Sequence, residues 1–109
     1  MFLVVFRNRK RADIDQAAYD AQAEAMEVLA AQQPGFLSFK SYSAEDGEVV
    51  AISEWESENA ALAWRKVAEH RIAQADGQKK WYSDYTLYAA DNPRTHRFVS
   101  KAATAKDSS

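Results

Sequence analysis

No cysteine occurs in this 109-residue chain, and that absence removes disulfides, thiolate catalysis, iron–sulfur clusters and cysteine zinc sites together. A strong charge of one sign is also missing: 14 Lys and Arg against 16 Asp and Glu leave a net charge of −2. Phosphate binding needs a strongly basic face, so nucleic acid is not an expected partner. Long hydrophobic runs are missing as well. The opening Met1-Phe2-Leu3-Val4-Val5-Phe6 is interrupted by Arg7. It lacks the basic start and the length of a signal peptide, and no later run reaches membrane-spanning length. The expectation is a cytoplasmic protein with no membrane partner. GxSxG, a Walker loop, GxGxxG and HExxH are absent too, so the chemistries those motifs carry have no residues here. What remains is one domain's worth of chain, 47% apolar and 28% charged, the balance of an ordinary globular protein.

Six alternating elements and a tail account for that chain. Residues 2–9 hold Phe, Leu, Val, Val and Phe, a strand composition. From Ile14 to Gln33 the chain is rich in Ala, Gln, Glu and Met, which favour helix. Tyr19, Ala23, Met26, Leu29 and Ala30 recur at helical spacing and predict the core-facing stripe. Asp13 is the expected N-cap, and Pro34-Gly35 the stop. Phe36 to Tyr42 and Glu48 to Trp55 read as two strands joined across Asp46-Gly47, a hairpin signal. Ser57 should cap a second helix, with Ala61, Leu62, Trp64 and Val67 inward, running to Asp76-Gly77. Trp81 to Ala90 is the fourth strand, ended by Asn92-Pro93. The domain is expected over residues 1–98, and residues 99–109 read as a polar tail with little to bury.

The order βαββαβ is that of the α+β, ferredoxin-like arrangement. Right-handed crossovers place both helices on one face of a four-stranded antiparallel sheet. Strand alternation then sets Phe2, Val4 and Phe6 against Leu3 and Val5, and Val50 and Ile52 against Val49, Ala51 and Trp55. In the last strand, Tyr85 and Leu87 should oppose Tyr82, Thr86 and Tyr88. Both faces are therefore apolar, whereas a sheet with helices on one side usually wets the other. A homodimer packed sheet to sheet would cover that face. The alternative cover is the C-terminal segment through Phe98.

Catalytic signals are sparse. His70 and His96 do not stand at metal-ligand spacing, so no metal site is expected. Glu54, Glu56 and Glu58 alternate along a strand exit, as a solvated edge does. Arg7-Asn8-Arg9-Lys10-Arg11 is the one dense basic run. It is either a solvated strand exit or a receiver for a propionate, phosphate or carboxylate.

The segments Pro34-Gly35-Phe36, Trp55-Glu56-Ser57-Glu58, Ala63-Trp64-Arg65, Glu69-His70-Arg71, Ala73-Gln74, Gly77, Trp81-Tyr82 and Tyr85 together resemble the antibiotic biosynthesis monooxygenase superfamily, over roughly residues 1–98. The resemblance implies a dimeric α+β barrel that oxygenates quinols, anthrones or haem. It implies no built-in cofactor, molecular oxygen as co-substrate, and a small aromatic molecule as ligand. The superfamily's haem-degrading branch carries an asparagine on the first strand, a tryptophan on the second helix and a histidine beyond it. Asn8 and Trp64 match the first two, while Gln74 occupies the histidine position and His70 lies four residues earlier. If haem binds, as ligand or substrate, His70 is the candidate to hold it.

In the mechanism so implied, His70, Asn8 and Trp64 act as base, oxyanion partner and water-excluding wall. Imidazole suits the first task because its ordinary pKa lies near neutrality. Tyr82, Tyr85, Gln74 and Arg65 are the candidate substrate-binding residues. Each has a plainer reading beside it. Trp64 could be core, His70 a helix-cap or interface residue, and Asn8 a loop cap. Tyr82 and Tyr85 could belong to the dimer interface, Arg65 to a surface ion pair, and Trp55 to the support of the hairpin. A non-catalytic dimer that binds a small aromatic ligand is the competing class of function.

Overall fold

The computed structural model describes residues 1–74 and 81–101, with the backbone alone for 71–74. Its elements are β1 (Phe2–Lys10), α1 (Gln16–Ala31), β2 (Phe36–Ser43), β3 (Val49–Trp55), α2 (Glu58–Gln74) and β4 (Tyr82–Asp91). The sheet order is β2-β3-β1-β4 with every pair antiparallel, which is the ferredoxin-like arrangement. No helix among the described residues is long and apolar enough to cross a membrane.

Because β1 lies between β3 and β4, its alternation sorts the molecule into two faces. Phe2 and Val4 face the helices and join Ala30, Trp55 and Ala61 in the core, with Phe36, Ala60 and Trp64 packed around them. Trp55 is completely buried, and its indole N–H donates to the Ser53 hydroxyl at 3.0 Å, so its polar atom is satisfied. It also meets the Phe36 ring edge-on at 5.6 Å. The residue expected to support the hairpin is thus the centre of the core.

Local chemistry sets the element ends. The N-cap of α1 is Asp15, not the expected Asp13: Asp15 Oδ1 accepts from Ala18 N at 3.0 Å. Asp13 is held by Arg11 at 3.0 Å instead. Ser57 caps α2 as expected, its Oγ accepting from Ala60 N at 3.1 Å. Two positions of the predicted stripes differ. Ala23 and Leu62 are exposed, and in α1 the inward place falls to Gln22, three residues after Tyr19. Gly35 has φ +82°, and a Cβ there would stand 2.6 Å from Ala60 Cβ. Only glycine lets the start of β2 run this close to α2.

Bulges adjust both outer strands. Leu37 is the extra residue where Phe36 pairs with Trp55 and Ser38 with Glu54. Ser83 is the extra residue where Asp84 pairs with Arg9 and Tyr82 with Lys10. That second bulge overturns the expected alternation of β4, because it turns Tyr82 onto the same face as Tyr85. The opposite face carries Leu3, Val5, Val50 and Ile52, with Tyr42 and Tyr88 about half exposed. Phe98 is 82% exposed, so it does not cover that face within the chain.

Candidate functional site

Asn8 follows Phe6 on the helix-facing side of β1, opposite Val49 of β3 and Tyr85 of β4. It is only 2% exposed, and among the described residues its side-chain oxygen has no hydrogen-bond partner. An amide oxygen in that condition costs about 1–3 kcal/mol of stability, so its presence inside an apolar wall calls for a role.

Tyr85 is its cross-strand partner, and Phe6 precedes it by two residues on the same face. The Phe6 ring contacts Tyr82 at 5.6 Å and Tyr85 at 5.4 Å, and the two tyrosines lie 6.0 Å from each other. From α1, Tyr19 reaches Tyr82 at 6.3 Å and Trp81 at 5.8 Å. Gln22, one turn along, accepts a hydrogen bond from the Trp81 indole at 2.6 Å and ties α1 to the entry of β4. Burial pushes the Tyr82 phenol well above the ordinary phenol range, and the neighbouring Tyr19 adds to the rise. Burial also raises Tyr19, against the lowering effect of its hydrogen bond with Tyr82. Both remain neutral O–H groups at physiological pH, with Tyr82 donating to Tyr19 in the hydrogen bond between them. Tyr85 is 47% exposed and forms the open side of this wall.

Trp64 stands in a second aromatic group on the same face. Half-buried, it stacks on Trp55 at 6.1 Å with 21° between the planes. Its neighbours belong to the Phe2 end of β1, and Phe2 and Asn8 are about 20 Å apart along the strand. Arg65 is exposed and ion-paired to Glu69 at 2.9 Å, one turn on. His70 is exposed. Because α2 is unbroken from Glu58 to Gln74, six residues put Trp64 and His70 about 120° apart around the helix. The Gln74 side chain lies outside the described residues. The structure therefore gathers Asn8, Tyr82 and Tyr85 and sets Trp64 further along the same face. Arg65 and His70 are on the exposed side of α2. Tyr19 and Gln22 were not foreseen as wall residues; their three-residue spacing within the helical stripe is the signal that marks them.

A separate open groove of about 350 Å3 lies where the end of α1 meets the start of α2, lined by Gln33, Pro34, Gly35, Glu56, Asn59 and Ala60 among others. It is at the opposite end of the sheet from Asn8 and includes none of the expected site residues. Among the described residues there is no group of three or more His, Asp or Glu that could hold a metal ion.

Comparison with known proteins agrees with this architecture. The antibiotic biosynthesis monooxygenase family matches residues 1–76. The chain is 35% identical over 97 residues to the uncharacterized protein YqjZ of Bacillus subtilis (strain 168), covering 89% of this chain and 83% of that one. The chain belongs to the antibiotic biosynthesis monooxygenase family. Solved structures share its fold. Rv0793 from Mycobacterium tuberculosis superposes with a TM-score of 0.72 at 20% identity, covering 88% of this chain and 98% of that one. SnoaB, a cofactor-independent oxygenase from Streptomyces nogalater solved as its N63A mutant, superposes with a TM-score of 0.68 at 16% identity, covering 86% and 94%.

The unpartnered Asn8 oxygen gives a direct test. Leucine has nearly the same shape without the polar atoms, so Asn8→Leu should leave the protein as stable or more stable, by about 1 kcal/mol. A denaturation midpoint shifted upward at constant slope is the expected result. A loss of comparable size would mean that the amide is bonded and structural.

Proposed function

We propose that this protein is a monooxygenase with no cofactor of its own, acting on a small quinol- or anthrone-like aromatic molecule held against the Asn8 wall. The observation that carries the reading is the buried, unpartnered Asn8 oxygen among Phe6, Tyr82 and Tyr85. A flat, electron-rich ring packs on those aromatic faces, and its hydroxyl donates to Asn8. Family membership supports the reaction class, and the fold shared with a cofactor-independent oxygenase supports the lack of a resident cofactor.

In this reaction a ring CH2 or hydroxyl loses a proton, and the resulting anion reduces dioxygen. The new carbon–oxygen bond forms a peroxide, which collapses to a carbonyl as the second oxygen leaves as water. The Tyr82 phenol, kept protonated by its surroundings, turns its O–H from Tyr19 to the developing oxyanion. Asn8 orients the substrate, Trp64 closes the helix face toward Phe2, and the exposed His70 receives the proton through solvent.

Aerobic oxygen uptake with a panel of anthrones and quinols tests this, in chelator and without added flavin. The expected result is one dioxygen consumed per carbonyl formed. Trp64→Phe should lower kcat/KM about tenfold while costing little stability, since an aromatic swap keeps most of the packing. Unchanged turnover would return Trp64 to the core. A wild-type protein that binds members of the panel and oxidises none would be a ligand-binding module instead. Haem belongs in the same panel: a Soret shift abolished by His70→Ala would favour the haem branch.

The same reading includes a homodimer formed through the outer sheet face. Leu3, Val5, Val50 and Ile52, flanked by half-exposed Tyr42 and Tyr88, make an apolar patch that a second copy would cover. Sedimentation at micromolar concentration should give twice the 12.3 kDa of one chain. A single species at the monomer mass would contradict it.

A further inference from the structure

The basic run at the end of β1 is divided by strand alternation and by what each cation meets. Arg7 bonds Glu48 at 3.0 Å, Arg9 bonds Asp46 at 2.8 Å, and Arg11 bonds Asp13 at 3.0 Å. Each arginine of the run is thus neutralised. Lys10 is different. Among the described residues no carboxylate pairs with it, and its ammonium lies 4.6 Å from the centre of the Tyr19 ring. It is partly buried, pairs with Tyr82 across the strands, and follows Asn8 by two residues on the same face.

We propose that Lys10 is the anion-binding residue of the Asn8 wall, and that the wall takes an aromatic acid: a planar ring system bearing a hydroxyl and a carboxylate. This rests on the reading of the Asn8 wall as the ligand site. The ring lies on Phe6, Tyr82 and Tyr85, the hydroxyl donates to Asn8 Oδ1, and the carboxylate accepts from Lys10 Nζ. Two residues of strand separate Asn8 from Lys10 by about 7 Å, a spacing that substituents on one fused ring system can bridge. Tyr19 holds the ammonium in place through its ring face, so less freedom is lost when the carboxylate arrives. The arginines cannot take this role without giving up their own partners. Lys10 is accordingly a residue of specificity, selecting anionic over neutral ligands of the same shape.

The test uses two probes that differ in one group, 6-hydroxy-2-naphthoate and 6-hydroxy-2-naphthamide, titrated calorimetrically into the full chain. Wild-type protein should bind the acid about fivefold more tightly than the amide, the size expected of a partly exposed ion pair. The preference should fall as salt rises. Lys10→Met keeps the length and apolar stem, so it should abolish the preference for the acid. Lys10→Arg, which keeps the charge, should retain it. A preference that survives Lys10→Met overturns the assignment, as does equal binding of both probes by the wild type; either leaves the aromatic wall standing. If neither probe binds, the wall itself is not a ligand site, and the proposal falls with it.

Discussion

The two-residue alternation of one central strand is the constraint on which the rest depends. β1 is bonded on both edges, to β3 and to β4, so it cannot slip in register without breaking two ladders at once. Its even residues Phe2, Val4, Phe6, Asn8 and Lys10 therefore share the helix side, and its odd residues Leu3, Val5, Arg7 and Arg9 share the other. Core, candidate site and the lysine seated on Tyr19 follow one another along a single line of side chains. The apolar patch and two of the neutralised arginines lie behind them.

That line divides the helix face into two aromatic groups with different duties. At Trp55 the ring is closed in and its indole N–H is satisfied by Ser53, which is how a structural core treats polar atoms. Around Asn8 the wall is incomplete: an acceptor is buried without a partner, Tyr82 is held neutral, and Tyr85 remains half exposed. Polar capacity left unused inside an apolar surface is a cost that a purely structural domain has little reason to bear.

Much of this was legible in the residues alone. The order of elements followed from composition and turn signals, and Asp46-Gly47 and Ser57 did the work assigned to them. Strand alternation alone sets Tyr82 and Tyr85 on opposite faces, whereas the structure puts both on the face of Asn8. Three features were not legible, each for a physical reason. Asp13 and Asp15 are equally good caps by type; Arg11 captures the first and leaves the second for α1. The bulge at Ser83 has no glycine or proline to announce it, and one extra residue is enough to turn Tyr82 around. The division of the basic run depends on Glu48 and Asp46 in a hairpin about 40 residues away, which strand alternation alone does not reveal.

An aromatic ligand bound at this wall must reach Asn8. The side-chain amide signals of an 15N-labelled sample, followed while an anthrone is added in the absence of oxygen, report this directly. Assignment comes from the Asn8→Leu variant, in which one amide pair disappears. The account predicts a saturable shift of the Asn8 amide as its oxygen gains a donor, with little change at Asn59, which lines the groove at the opposite end of the sheet. Saturable binding that leaves the Asn8 amide unmoved would contradict it and place the ligand elsewhere on the protein.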